Sequence, residues 1–520
     1  MKHPHAILAA LALGVAGLTA QDATPGPQPA METFMQRSEK SQATLLDNSN
    51  EILRRIGGIE KTLVKTGAAP ATAVAPDVSA LESRLKELEA KLAAAPPAPE
   101  TATAAKDEST QTSVNAVWIV LTAALVFFMQ AGFCMLELGF TRAKNAINIC
   151  MKNFLDFCVG TLCFLFLGFG LMFGHSVAGL FGTGPFWISD VPSNEMLWSF
   201  WFFQLVFCGT AATIISGAMA ERTKFVGYLI FTALITGVLY PVIGHWAWGS
   251  FGEAFGYGGG KGWLEQLGYL DFAGSSVVHS IGGAAALAGV LVVGPRIGRF
   301  KPDGTANLVS GHNMPLATLG VFILWLGWYG FNPGSTLLGD ANIGRIAVNT
   351  TIAPAAGAIA GMFAMWLHQG RPDLGMTING ALGGLVGITA NCNIVSPASA
   401  VVIGLVAGVI ATFGSLLLER LRIDDAVGAV PVHLFCGWWG ILSVAIFNQA
   451  GFSPHQLGIQ TLGVASITAA AFGASFVGFF LIDKIVGLRA SEDEQDLGLD
   501  FTEHSGAAYP DFITGEQGLS

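Results

Sequence analysis

Charged side chains are scarce in this sequence. Asp, Glu, Lys and Arg make up 12% of 520 residues, about half of the roughly 25% usual in a soluble domain. That deficit excludes a chain built only of soluble domains, although its length would hold several. The charge is also unevenly placed: 11 of the 26 Lys and Arg precede residue 114, and most of the other 15 cluster between apolar runs. No basic stripe suggests nucleic acid, and the net charge of −10 says little about partners. Cysteine is sparse as well. Cys134, Cys150, Cys158, Cys163, Cys208, Cys392 and Cys436 have neither metal-type spacing nor a disulfide framework. They read as small buried hydrophobes. No nucleophile–base pair, phosphate loop or metal cluster supports an enzyme, and no cofactor is implied.

Apolar residues are what the chain has in plenty, at 52%. Residues 1–20 read as a signal peptide, with Lys2, a short apolar stretch at 6–17 and a small-residue site at 18–20. An uncleaved anchor is the alternative. Residues 21–113 are polar and read as an extracytoplasmic stalk with Pro- and Ala-rich linkers. Within it Ile52, Ile56, Ile59 and Leu63, then Leu81, Leu85, Leu88 and Leu92, keep a four-three-four spacing, the seam of a coiled coil. Each run is barely two heptads, so a loosely helical stalk without a partner stays open.

From residue 114 long apolar runs alternate with short polar loops. Membrane spans are expected near 116–140, 153–177, 197–219, 226–247, 271–294, 315–338, 346–367, 377–396, 398–418, 430–449 and 461–486. The fold class is an all-α membrane protein with eleven transmembrane helices, a membrane domain over 114–487 and a tail over 488–520. Basic residues set its direction. With the first span starting outside, 13 of the 15 Lys and Arg beyond residue 114 fall at the cytoplasmic ends and only Lys261 and Arg345 fall opposite. The expectation is therefore N-out and C-in.

Ionisable side chains inside spans are candidate functional residues. His279 lies in the fifth expected span after Asp271, and His433 in the tenth after Asp425. Each follows Asp-x7-His, is preceded by Val and has Gly four residues on, at Gly283 and Gly437. The two spans run in opposite directions, as an inverted five-helix repeat plus one would have them, and such repeats place sites near the midplane. One membrane histidine alone fits a helix–helix hydrogen bond equally well. As a pair, two neutral imidazoles can share one N–H···N bond and keep a donor or acceptor for a pore.

The segment 271–296, DFAGSSVVHSIGGAAALAGVLVVGPR, resembles the signature of the Amt/MEP/Rh ammonium transporters. The stretches AGFCMLELGFTRAKN (131–145), GAMAERTKF (217–225), GHWAWG (244–249), GWYGFNPGS (327–335), DDAVGAVPVH (424–433) and VGLRASEDEQDLGLD (486–500) are similar to that family's landmarks in order. The resemblance implies a homotrimer with a pore in each protomer, lined by the twin histidines His279 and His433. It further implies an outer-mouth gate at Phe207 and Phe331, ammonium recruitment by Trp248 and Ser335, a pore-lining Trp328 and an essential acid at Asp271. The function implied is ammonium transport, with an ammonium sensor on the same fold as the alternative. The family also implies a PII-type signal protein at the cytoplasmic face. The chain departs from the family pattern in two places. Gly428 and Pro431 stand where many relatives carry Asp and Gly, which predicts a differently shaped loop. The tail reads His504-Ser505-Gly506 where relatives often have His-Gly-Glu, so the PII partner is implied without that motif.

Overall fold

The computed structural model describes residues 102–186 and 195–510. The signal-peptide and coiled-coil readings lie outside the described residues. Nine stretches among the described residues are long and apolar enough to cross a membrane: α1 (Ser109–Phe140), α2 (Ala143–Phe173), α3 (Glu195–Ala218), α4 (Phe225–Phe255), α5 (Ser275–Val293), α6 (Met314–Thr336), α7 (Asn342–Gln369), α9 (Pro397–Arg420) and α11 (Pro454–Ile485). Two shorter apolar helices, α8 (Leu374–Thr389) and α10 (Val430–Ile446), stand where the eighth and tenth spans are expected. The 16 residues of α8 give about 24 Å of helix, short of a roughly 30 Å hydrocarbon core. Burial in the bundle is what makes so short a helix workable.

Element ends follow local chemistry. Asn313, Asp373, Ser396 and Ser453 cap α6, α8, α9 and α11, each side chain accepting a backbone N–H three residues on. Proline follows immediately at the starts of α9 and α11, where its missing N–H costs nothing. Several boundaries differ from expectation, and two have a plain local cause. The helix leading into α1 starts at Ala102, inside the expected stalk, because residues 102–113 contain no proline and extending an existing helix avoids a new nucleation step. The second span ends at Phe173 rather than 177. Gly174 is extended there, and β1 (His175–Val177) turns back against β2 (Phe181–Thr183).

Packing then brings the site together. α1 lies along α6, α5 along α11, and α7, α8 and α9 form a tight group. A Cβ on Gly357 would come within 2.3 Å of the Gly380 carbonyl oxygen, and one on Gly380 within 2.5 Å of that of Gly357. Only glycine lets α7 and α8 approach so closely, the small-residue packing common in membranes. Large apolar side chains cover the outside instead of hiding, including Phe154, Val226, Phe322 and Val477. A surface of that kind suits lipid and not water. The buried-hydrophobe reading of the cysteines holds for Cys208, Cys392 and Cys436, whereas Cys150 is exposed on α2.

Candidate functional site

Two acidic residues start the helices that carry the histidines. The Asp271 carboxylate accepts the backbone N–H groups of Gly274, Ser275, Ser276 and Val277 and the Ser276 hydroxyl, at 2.7–3.0 Å. Asp425 likewise accepts from Val427, Gly428, Ala429 and Val430 at 2.7–3.3 Å. A buried helix start has orphan N–H groups, and one carboxylate satisfies several while countering the dipole. Asp271 thus sits at the mouth of α5 as a cap, away from the imidazoles.

Both loops turn on a glycine three residues after the Asp. Gly274 has φ 111° and Gly428 φ 81°, values that a residue with a Cβ rarely adopts. Gly428 therefore gives the second loop the same left-handed turn as the first. The repeat is accordingly longer than Asp-x7-His: each copy reads Asp-x2-Gly-x3-Val-His-x3-Gly. Each histidine then lies in a π-helical turn, Ser275–Ser280 or Val430–Phe435. Such turns are rare and tend to occur at functional sites. The final glycine of each copy admits the other helix. A Cβ on Gly283 would lie 2.5 Å from the Leu434 nitrogen, and one on Gly437 2.5 Å from the Ser275 carbonyl oxygen.

The crossing brings His279 and His433 together. Their Nδ1 atoms are 3.1 Å apart, and both rings are buried, 0% and 4% exposed. One Nδ1–H donates to the other Nδ1, so only one of the two carries a proton there. The Nε2 of His279 has no protein partner.

Aromatic rings lead up to this pair in series. Trp248 stacks with Phe251 at 5.8 Å and approaches Phe207 at 6.2 Å, and Phe207 stacks on Phe331 at 4.0 Å and 15°. Phe331 is 5.4 Å from His279, and Trp328 is 5.2 Å from it. The Trp248 indole N–H donates to the Asp271 carbonyl, which fixes that ring above α5. Trp328 is held by its own N–H to Thr389. Ser335 is half-buried and donates its hydroxyl proton to the Phe331 carbonyl at 2.7 Å. Its oxygen lone pairs are therefore the part left to receive an N–H donor. All eight residues singled out in the sequence belong to one column, with Asp271 as its support.

Sequence reasoning missed Phe251, Phe133, which lies 6.3 Å from His433, and Glu137, which lines a cavity with His433. Glu137 carried the signal that marks the histidines, an ionisable side chain inside an expected span.

Comparison with known proteins gives this arrangement its setting. The sequence profile of the Ammonium Transporter Family matches residues 117–509. This chain belongs to that family. The ammonium transporter Amt2 of Archaeoglobus fulgidus is 44% identical over 439 residues, covering 79% of this chain and 92% of that protein. A putative ammonium transporter of Synechocystis, sll1017, is 46% identical over 404 residues, covering 75% and 88%. Among solved structures, one named Sensor Amt Protein aligns with a TM-score of 0.73 at 43% identity, covering 76% of this chain and 99% of that one. Candida albicans Mep2 aligns with a TM-score of 0.66 at 28% identity, covering 74% and 87%. The chain is an all-α membrane protein of a transporter family, and not an enzyme.

Proposed function

We propose that this protein conducts ammonium across the cell membrane as NH3 with a separately relayed proton, through one pore in each protomer of a homotrimer. In this reading α8 and α10 complete eleven crossings, the N-terminal arm lies outside and the tail lies in the cytoplasm, as the basic loops favour. A PII-type protein is the partner expected at the tail.

The observation that carries the reading is the Nδ1···Nδ1 contact of His279 and His433 at the end of the aromatic column. An ammonium ion entering from water gains about 0.5–2 kcal/mol from each aromatic face and donates to Ser335. Potassium has the same charge and nothing to donate. The desolvation cost deeper in favours the neutral form, so the proton leaves. Suppose His279 donates its Nδ1–H to His433. Its Nε2 then offers a lone pair, while His433 presents Nε2–H. A proton taken at His279 Nε2 sends the shared proton across, and His433 releases its own. One passage exchanges the two tautomers, and the pair returns to its starting tautomers before the next proton is taken at His279 Nε2.

The resemblance to a structure named as a sensor supports a second reading, in which the same site reports occupancy. Purified protein in liposomes on a solid-supported membrane separates them. Transport predicts a transient current with ammonium and none with potassium. A protein that binds ammonium and stays silent would be a sensor.

A further inference from the structure

The column does not end at the histidines. A cavity lined by Phe133, Ile214, Leu382 and Val432 has both His433 and Glu137 in its wall. Of its lining side chains only His433 and Glu137 exchange protons readily. Glu137 is 1% exposed, and the buried, ionisable Lys152 and Asp156 on α2 are near enough to act on its charge. Its Oε2 is fixed, accepting from Asn153 Nδ2 at 3.0 Å and Ser216 Oγ at 2.9 Å. Its Oε1 has no partner. An unpaired buried charge is costly, so Oε1 is the atom of Glu137 left open to take a proton. Gly217 leaves the space beside it, since a Cβ there would lie 3.2 Å from Glu137 Cγ.

We infer that Glu137 is the inner proton carrier of the pathway: it takes up the proton released by His433 and returns it to ammonia leaving the pore. The inference rests on the relay reading above. In the first step the His433 Nε2–H bond breaks and, through water in the cavity, an O–H bond forms on Glu137 Oε1. In the second that O–H breaks as the fourth N–H of ammonium forms, and the carboxylate is restored. Charge and protons balance, and no other reactant than water and the substrate is needed. Ser216 and Asn153 act as positioning residues. They hold Oε2 and tune how strongly the carboxylate binds its proton.

The test uses the full chain in liposomes on a solid-supported membrane. A wild-type protein silent to ammonium would overturn the relay reading and this inference with it. With a wild-type current in hand, Glu137→Gln keeps the shape and removes the carrier. Its current should fall about a hundredfold, the low side of what a positioned proton carrier contributes, and Glu137→Asp should restore part of it. Should Glu137→Gln fail to fold, Ser216→Ala decides. It keeps the carboxylate but removes one donor, so the pH at which the current is half-maximal should move upward. A Glu137→Gln current equal to wild type, or a Ser216→Ala profile that does not move, would make Glu137 a packing residue only.

Discussion

α5 and α10 are built alike and end in different surroundings. Each starts from an Asp-capped loop with a left-handed glycine, passes through a π turn at its histidine and meets the other at a glycine. Yet His279 lies against Trp328 and Phe331, while His433 opens on the cavity that holds Glu137. The scaffold is symmetric and the chemistry is not. Symmetry brings the two rings together, with aromatic rings against His279 and a cavity shared with Glu137 against His433.

The caps offer the strongest way to break this comparison. Truncation to Ala leaves buried N–H groups unsatisfied at about 1–3 kcal/mol each. Asp271→Ala strips four of them and the Ser276 hydroxyl, and it also disturbs the carbonyl that holds Trp248. We expect it to lower thermal stability in detergent by more than about 4 kcal/mol and to abolish the ammonium current. Asp425→Ala should cost less, because it strips backbone groups only. Equal losses in melting and current would mean that the Trp248 side adds nothing to the shared scaffold.

A smaller effect sharpens the comparison at the other end of α5. Arg296, just past α5, donates its backbone N–H and Nε to Asp424 Oδ2 and its Nη2 to Oδ1, while Asp424 immediately precedes the loop of α10. Burial opposes ionisation of Asp424, but Arg222 and Arg296 outweigh it and hold the carboxyl well below its ordinary value. A carboxyl depressed in the folded state adds stability above its unfolded value of about 3.9 and loses it as pH falls further. Melting in detergent should therefore drop below about pH 4. Asp424→Asn should cost about 3 kcal/mol at neutral pH and flatten that part of the profile. A wild-type profile without the acidic drop would count against the ion pair as the clamp between the two helices.

Much of this was legible in the sequence, for physical reasons. Long apolar runs mark helices because lipid cannot hydrogen-bond a free backbone, and the repeated Asp-x7-His marked the crossing because both helices must solve one packing problem. The stacking of Phe207 on Phe331, and Trp248 and Ser335 as its approach, came through resemblance and not through spacing, since an aromatic residue in a span looks the same facing lipid or pore. The π turns left no trace, because SSVVHS and VPVHLF are equally compatible with ordinary helix. Glu137 sat inside a quoted landmark as an acid in a span, but only packing reveals that its Oε1 stays unpartnered beside a cavity shared with His433. The arm before residue 102 lies outside the described residues.

The central claim is that two imidazoles sharing one proton carry selective transport. The current trace of protein in which both His279 and His433 are changed to Ala tests it most directly, recorded with ammonium and then with potassium in the same liposomes. The account predicts that the selective ammonium current disappears, either through silence or through equal currents with both ions. A selective ammonium current of wild-type size would contradict it.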